Sequence, residues 1–515
     1  MGAMRRHFLV LALPLAWVAC FSNSSGGGGG PSFDASTDGA EFDSSTVDSE
    51  PAEAGQDSPA PVDAVADVAL DVPADVPVLT PVTVTVLGAL GLESGVTVVY
   101  EDSTGAVTGT GTTNALGSAS KVVPAGSMVT VLLGTAAAPN LYTAMGVQPG
   151  NNVVVVDWAS ATALANLYAN VTAIPTSPAL PAVSSYAVIM GGCNQGWVGT
   201  VPGSFWLTAS PPCIGIGQFG ASFGAAFPLL VEADDMLGNL LGFAFSKNNG
   251  LSMLDDAGMA DVALTGTWSS STTTQALAVT TADGGTMPAT LVYSEIADGL
   301  LNPLSQYLDA DAGGNQVVHT HAGTPAFADF VQLEASTINI AARAIAWRGP
   351  PPTADGTATI DVSAFATAPT ITNASVAITT PGQPTVSWTL SQGSLASVTG
   401  LVATTNWSAS LPEGGTQFGT WTIVAPGTAQ TSVTAPALPS ASSGFAPASG
   451  ASTNMTDFYA VDGNTATPSA IPTYGDLLLI STTLYPQSAC FFAPYLPALP
   501  HNGTAALTVW APGGC

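Results

Sequence analysis

From residue 81 onward the chain is written in short β-branched runs, broken every few residues by Gly, Pro, Asn or Asp, with no long stretch of helical apolar period. Val82-Thr83-Val84-Thr85-Val86, Val96-Thr97-Val98-Val99-Tyr100, Met128-Val129-Thr130-Val131-Leu132 and Val153–Val156 are runs of this kind. Asp102-Ser103-Thr104-Gly105 and Asn114-Ala115-Leu116-Gly117 supply turn chemistry between them. About seven strands in about 80 residues predict a small sandwich.

The same punctuation continues. Residues 182–365 hold strand-like runs at Leu229–Glu232, Leu240–Phe245, Ala260–Thr267, Leu277–Thr280, Val317–Thr320, Val331–Ala335, Ile345–Trp347 and Ala358–Val362. Residues 370–515 add Pro384–Leu390, Leu401–Trp407, Thr420–Val424, Asp457–Val461, Asp476–Thr482 and Leu507–Trp510. Trp388, in an early strand of this last stretch, suggests an immunoglobulin- or fibronectin-like core. About 435 residues exceed what one core usually serves, so two to four domains are expected. The expectation is an all-β chain of tandem immunoglobulin-like or transthyretin-like β-sandwich domains, at 81–158, 182–365 and 370–515.

The order Gly95-Val96-Thr97-Val98, Asp102-Ser103-Thr104-Gly105, Thr113-Asn114-Ala115-Leu116-Gly117, Val123-Pro124-Ala125-Gly126 resembles carboxypeptidase-regulatory-like, transthyretin-like domains. In that family an extended strand, a D-x-x-G turn, a T-[DN]-x-x-G turn and a P-A-G turn recur in sequence. The resemblance covers about 80 residues and implies a non-catalytic module, not a peptidase.

Residues 1–19 carry Arg5-Arg6 and then an apolar run, Phe8–Val18, too short to span a bilayer. Ala19 precedes Cys20, and Phe-Ser-Asn-Ser-Ser and five glycines follow. This end resembles a bacterial lipoprotein lipobox, although Trp17 stands where that family usually has Leu. The resemblance implies cleavage before Cys20, its acylation, and a membrane partnership made through acyl chains, two or more of which anchor stably. Ser22 stands two residues on, and Asp, the inner-membrane retention signal of many lipoprotein systems, is absent there; outer membrane or cell surface is therefore expected. Lipobox, acidic tether and β-modules together are similar to exported lipoproteins of myxobacterial type.

Loss of residues 1–19 removes two of the six basic residues and none of the 35 acids, leaving four bases and a formal −31. A chain so acidic repels phosphate backbones, so nucleic-acid binding is excluded. Residues 31–80 hold twelve acids and no base, with Asp63, Asp67, Asp71 and Asp75 four residues apart. Like charges at that spacing oppose a helix, and Pro51, Pro59, Pro61, Pro73 and Pro77 interrupt the run. Residues 20–80 are thus expected to be a disordered acidic linker.

The other four cysteines form two close pairs, Cys193 with Cys213 and Cys490 with Cys515. An even count in an exported chain reads as disulfides; three connectivities are possible, and sequence proximity favours these two. Loops of that size contribute about 3 kcal/mol each.

Candidates for chemistry are few. Gly220-Ala221-Ser222-Phe223-Gly224 fits G-x-S-x-G, but the strand–turn–helix context of a nucleophile elbow is not predicted. Ser118-Ala119-Ser120-Lys121 fits S-x-x-K, but between two sandwich turns. His319 and His321, two residues apart on a predicted strand, share a face and could bind zinc with Asp309 or Asp311; the plainer expectation is a solvated strand. Asp309-Ala310-Asp311-Ala312-Gly313-Gly314-Asn315 has the alternating oxygens of a weak calcium loop, but Thr320 stands where an EF-hand needs Glu. Trp197 with Trp206, and Trp407 with Trp421, could form sugar platforms, although core burial is the commoner fate.

With so few titratable groups, the sequence favours a non-enzymatic surface lipoprotein, without a firm cofactor, that displays β-modules for adhesion or envelope organisation. Surface proteins or envelope polysaccharide are the expected partners. The alternative is a polysaccharide-binding or hydrolytic accessory protein with its site in 182–365.

Overall fold

The computed structural model describes residues 80–88, 91–157, 167–190, 195–198, 203–207, 229–236, 240–246, 259–270, 272–281, 288, 290–296, 305–309, 317–321, 328–337, 343–366, 368–379, 382–411, 414–448, 450–462, 473–481, 499 and 502–510. Cys20, Cys193, Cys213, Cys490, Cys515, Asp311, Ser222 and the linker 20–79 lie outside the described residues.

The described chain is all-β, as its β-branched runs require. The four runs expected in 81–158 form the strands Val82–Gly88, Thr97–Glu101, Ser127–Thr135 and Asn152–Val156. Their turns close as the sequence indicates. Asp102 Oδ1 accepts from the Thr104 and Ala106 amides at 2.8 and 3.0 Å, and Asn114 Oδ1 accepts from Leu116 and Ser118 at 2.8 and 3.1 Å. Gly105 and Gly117 take the left-handed φ of 85° and 60° that these turns demand.

A twelve-stranded sheet forms the centre. Its order is Ser305–Asp309, Thr290–Ile296, Phe330–Ser336, Arg343–Gly349, Gly503–Trp510, Ser452–Asp462, Gly400–Ser410, Thr416–Pro426, Ala138–Val147, Ser127–Thr135, Thr97–Glu101 and Val107–Thr112. It therefore takes strands from all three sequence stretches. Asn140–Ala144 pairs in parallel with Thr420–Val424, joining the first stretch to the third. Arg343–Arg348 pairs antiparallel with Gly503–Thr508, joining the second to the third. The sequence boundaries near 158 and 365 separate segments of chain but not sheets, because strands left at open edges satisfy their backbone groups against one another.

Smaller sheets cover the central one, and period-two alternation divides the cores between its faces. On the strand Gly503–Trp510, Ala505 and Leu507 enter one core while Ala506 and Trp510 enter cores on the opposite face. The first core lies against the sheet of Val82–Gly88, Gly91–Leu92, Ser118–Lys121 and Asn152–Val156. The second lies against Thr370–Thr379, Gln383–Gln392 and Ser432–Thr434, where Trp388 stacks on Phe458 at 5.1 Å. The third lies against Val317–His321, Thr272–Thr280 and Gly356–Asp361. A further sheet, Gln195–Val198, Ser185–Met190, Leu229–Asp234 and Leu240–Ser246, carries Leu230 and Phe243 in a small core with Ala328.

One expected strand is a helix. Asp476–Thr482 reads as a strand, yet Tyr474–Ile480 is α-helical. Thr473 caps it: its hydroxyl accepts from the Asp476 amide at 3.3 Å while Asp476 Oδ2 accepts from the Thr473 amide at 3.2 Å. Leu477, Leu478 and Ile480 then bury into the first core.

Candidate functional site

His321 closes the edge strand Val317–His321, and the expectation of a solvated strand end does not hold for it: the residue is 6% exposed. Two carboxylates and an aromatic ring enclose it. Its backbone amide donates to Glu295 Oε1 at 2.7 Å, and its Nδ1 contacts Glu295 Oε2. Its Nε2 lies 2.8 Å from Glu232 Oε1. Phe243 meets the ring edge-on, with centroids 4.7 Å apart.

The two carboxylates come from different sheets. Glu295 sits on the central-sheet strand Thr290–Ile296, buried at 3% exposure. Glu232 sits on Leu229–Asp234, with its side chain 21% exposed, and Phe243 is its cross-strand partner. Burial alone would depress the His321 imidazole, but the two glutamates outweigh it and push it up to about 10. The cluster is a carboxylate–imidazolium–carboxylate chain, held by a charge-assisted hydrogen bond from Nδ1 to Glu295 and an ion pair from Nε2 to Glu232.

This geometry differs from the metal site considered from sequence. The two ring nitrogens point to different carboxylates, so one ion could not take both acids together with the ring. Asp309 ends the strand Ser305–Asp309 opposite Leu291, while Glu295 pairs with Ser305. Four residues of extended strand, about 13 Å, therefore separate Asp309's position from that of Glu295's partner. His319 lies two residues before His321 on its strand. Among the described residues no group of three or more His, Cys, Asp or Glu is placed to hold a metal ion. Glu232 and Glu295 escaped the sequence reading because 89 and 26 residues separate them from His321 and neither stands in a motif.

Two other buried acids lie elsewhere. Glu101 is fully buried, and neither of its carboxylate oxygens has a hydrogen-bond partner. Desolvation pushes it up to about 8. Desolvation likewise raises Asp457, 7% exposed, to about 7.

Lys121 and the pair Trp407 and Trp421 have structural roles. Lys121 donates to the Thr108 carbonyl at 2.8 Å, and Ser118–Lys121 is a strand, not the helix start that S-x-x-K chemistry uses. Trp407 and Trp421 are buried at 4% and 0% exposure, with ring centroids 6.4 Å apart. They form part of the second core, which corrects the sugar-platform reading at that pair. Trp197 and Trp206 lie on the strands Gln195–Val198 and Gly203–Leu207.

No protein-family model matches this chain, and no curated protein matches it. Among solved structures, the Bacillus anthracis TIE protein aligns over 55% of this chain at 9% identity, with a TM-score of 0.14. The chain spans 50% of that protein's length. The chicken CNTN1 FN1-FN3 domains align over 58% of this chain and 94% of their own at 10% identity, with a TM-score of 0.12. The native conformation of E. coli alpha-2-macroglobulin aligns over 72% of this chain and 26% of its own at 11% identity, with a TM-score of 0.09. The all-β assignment rests on the sheets themselves.

Proposed function

We propose that the chain is a non-enzymatic lipoprotein, held at the outer membrane or cell surface by acyl groups on Cys20, that displays its β-sheet body for adhesion or envelope organisation. The observation that carries this reading is Cys20 itself, placed after Arg5-Arg6, an eleven-residue apolar run and Ala19. The order of parts supports it. The acidic stretch 31–80 ends where the first strand, Val82–Gly88, begins. As a coil, the roughly 60 residues between anchor and body would span about 40–46 Å, and charge repulsion would extend them.

A non-catalytic role is supported by the setting of His321. Both ring nitrogens of His321 face carboxylates in a buried setting, so the imidazole has no free lone pair for proton abstraction from a substrate. Export also favours oxidised Cys193–Cys213 and Cys490–Cys515 pairs. Surface proteins or envelope polysaccharide, met by the displayed body, are the partners of this reading.

Metabolic labelling with a fatty-acid analogue tests the anchor. The parent chain should label and fractionate with membrane, whereas Cys20→Ala should do neither. Protease added to intact cells should remove residues 81–515. Labelling that survives in Cys20→Ala, or a body protected in intact cells, would overturn the proposal.

A further inference from the structure

We propose that Glu232, His321 and Glu295 form an ionic latch that ties three sheets together through one protonated imidazole and opens when that proton is lost. The inference stands on placement. The imidazole comes from the last residue of an edge strand. Among the described residues that strand pairs along one edge, with Thr272–Ala276, and His321 stands opposite Thr272. On the other side, Glu295 of the central sheet takes the His321 backbone amide with one oxygen and Nδ1 with the other. That bidentate grip fixes the strand end and the ring orientation together. Glu232 completes the chain from a third sheet.

The proton is the joint. With the ring protonated, both nitrogens donate, and both carboxylates accept. With the ring neutral, one nitrogen becomes an acceptor facing a carboxylate, so one of the two contacts turns repulsive. The ring faces these two glutamates and the neutral Phe243, and Tyr293, two residues before Glu295 on its strand, has a phenol raised by burial and by Glu295. The exposed Asp329 neighbours Phe330, which pairs with Ile296. Glu232, partly exposed, gives the proton a route to solvent. The raised imidazole places the opening in alkaline solution, near pH 10.

Selective 15N-histidine labelling of the full chain tests the latch directly, because only four histidines are present. Both the ring nitrogens and the backbone amide of each histidine are then visible. At pH 8 His321 should show two protonated ring nitrogens and a protected amide. Between pH 9 and 11 the ring should lose its proton, and the amide should shift and lose its protection in the same step. Glu232→Gln, altering the partly exposed partner, should move that step to lower pH by about one unit or more. Signals are assigned with His7→Gln, His319→Gln and His501→Gln, so no variant at His321 need fold. A neutral His321 ring at pH 8 would overturn the proposal. So would a ring that titrates while its amide stays protected, since the imidazole would then carry charge without holding the strand.

Discussion

Trp421 shows what one residue is asked to do in this molecule. Its ring has no solvent exposure, and its indole N–H donates to Thr143 Oγ1 at 2.9 Å. Thr143 in turn shares a 3.0 Å hydrogen bond with Thr130 on the neighbouring strand. Burying an indole costs free energy unless the N–H is satisfied, and here Thr143 on the neighbouring strand supplies the acceptor. Thr143→Val keeps the volume but orphans the indole donor, and should lower the unfolding free energy by about 1–3 kcal/mol in urea titration. An unchanged midpoint would mean the bond contributes nothing. Nearby, Trp407 lies over its cross-strand partner Gly419, where a Cβ would come within 2.1 Å of the ring. Gly419→Ala should displace that ring and cost about 1–3 kcal/mol, seen as a lower melting temperature with altered tryptophan fluorescence. Unaltered emission would show that the ring had not been moved.

At the scale of elements, the helix Tyr474–Ile480 pins the central sheet from the side of its first core. The Tyr474 hydroxyl donates to the Met145 carbonyl at 2.7 Å and lies 3.0 Å from the Val424 carbonyl, bracketing the parallel pair that joins the first and third stretches. Ser481, at the helix end, hydrogen-bonds the Tyr142 hydroxyl at 2.5 Å. Thr473→Ala should remove the reciprocal cap and cost about 0.5–2 kcal/mol by chemical denaturation, with Thr473→Ser retaining most of it. Equal losses in both variants would assign the effect to something other than the hydroxyl. This helix marks where sequence reading stops. The strand reading of Asp476–Thr482 passed over Thr473-Tyr474-Gly475-Asp476, which fits a helix cap, and Leu477–Ile480 is too short an apolar run for periodicity to separate helix from strand. Strands and tight turns were readable because β-branched runs and Asp-x-x-Gly turns are local signals. The pairing of Leu141 with Trp421 and the gathering of Glu232 and Glu295 around His321 are products of tertiary packing, and nothing within a few residues of either announces them.

For the whole molecule, a single central sheet running through three stretches of sequence means that acids buried anywhere in it should report on one stability. Among the described residues, Glu101, Asp457 and His321 are three of the groups that hold protons more tightly in the fold than in the unfolded chain, and Glu93 and Asp462 shift the same way. Desolvation raises Glu101 to about 8 and Asp457 to about 7, and the paired glutamates, against burial, raise His321 to about 10. For the two acids, the cost of ionising inside the fold is absent below about pH 4 and complete above about pH 8. For His321, the added stability is fully present below about pH 6.5 and lost as pH rises through about 10. All three act in the same direction, because across this range the unfolded state binds fewer protons and stability falls with pH. Asp102 and Asp361, lowered by the hydroxyls of Thr104 and Ser363, act oppositely, but only in stronger acid. The melting temperature should therefore be highest in mildly acidic buffer and decline from about pH 5 to pH 10. Glu101→Gln, which fills the same space without a charge to bury, should melt above the parent at pH 8 and follow a flatter profile between pH 5 and 8. Calorimetry across that range decides it: a parent that gains stability up to pH 8, or a Glu101→Gln profile parallel to the parent's, would mean that the buried carboxyl is not what makes the fold prefer acid.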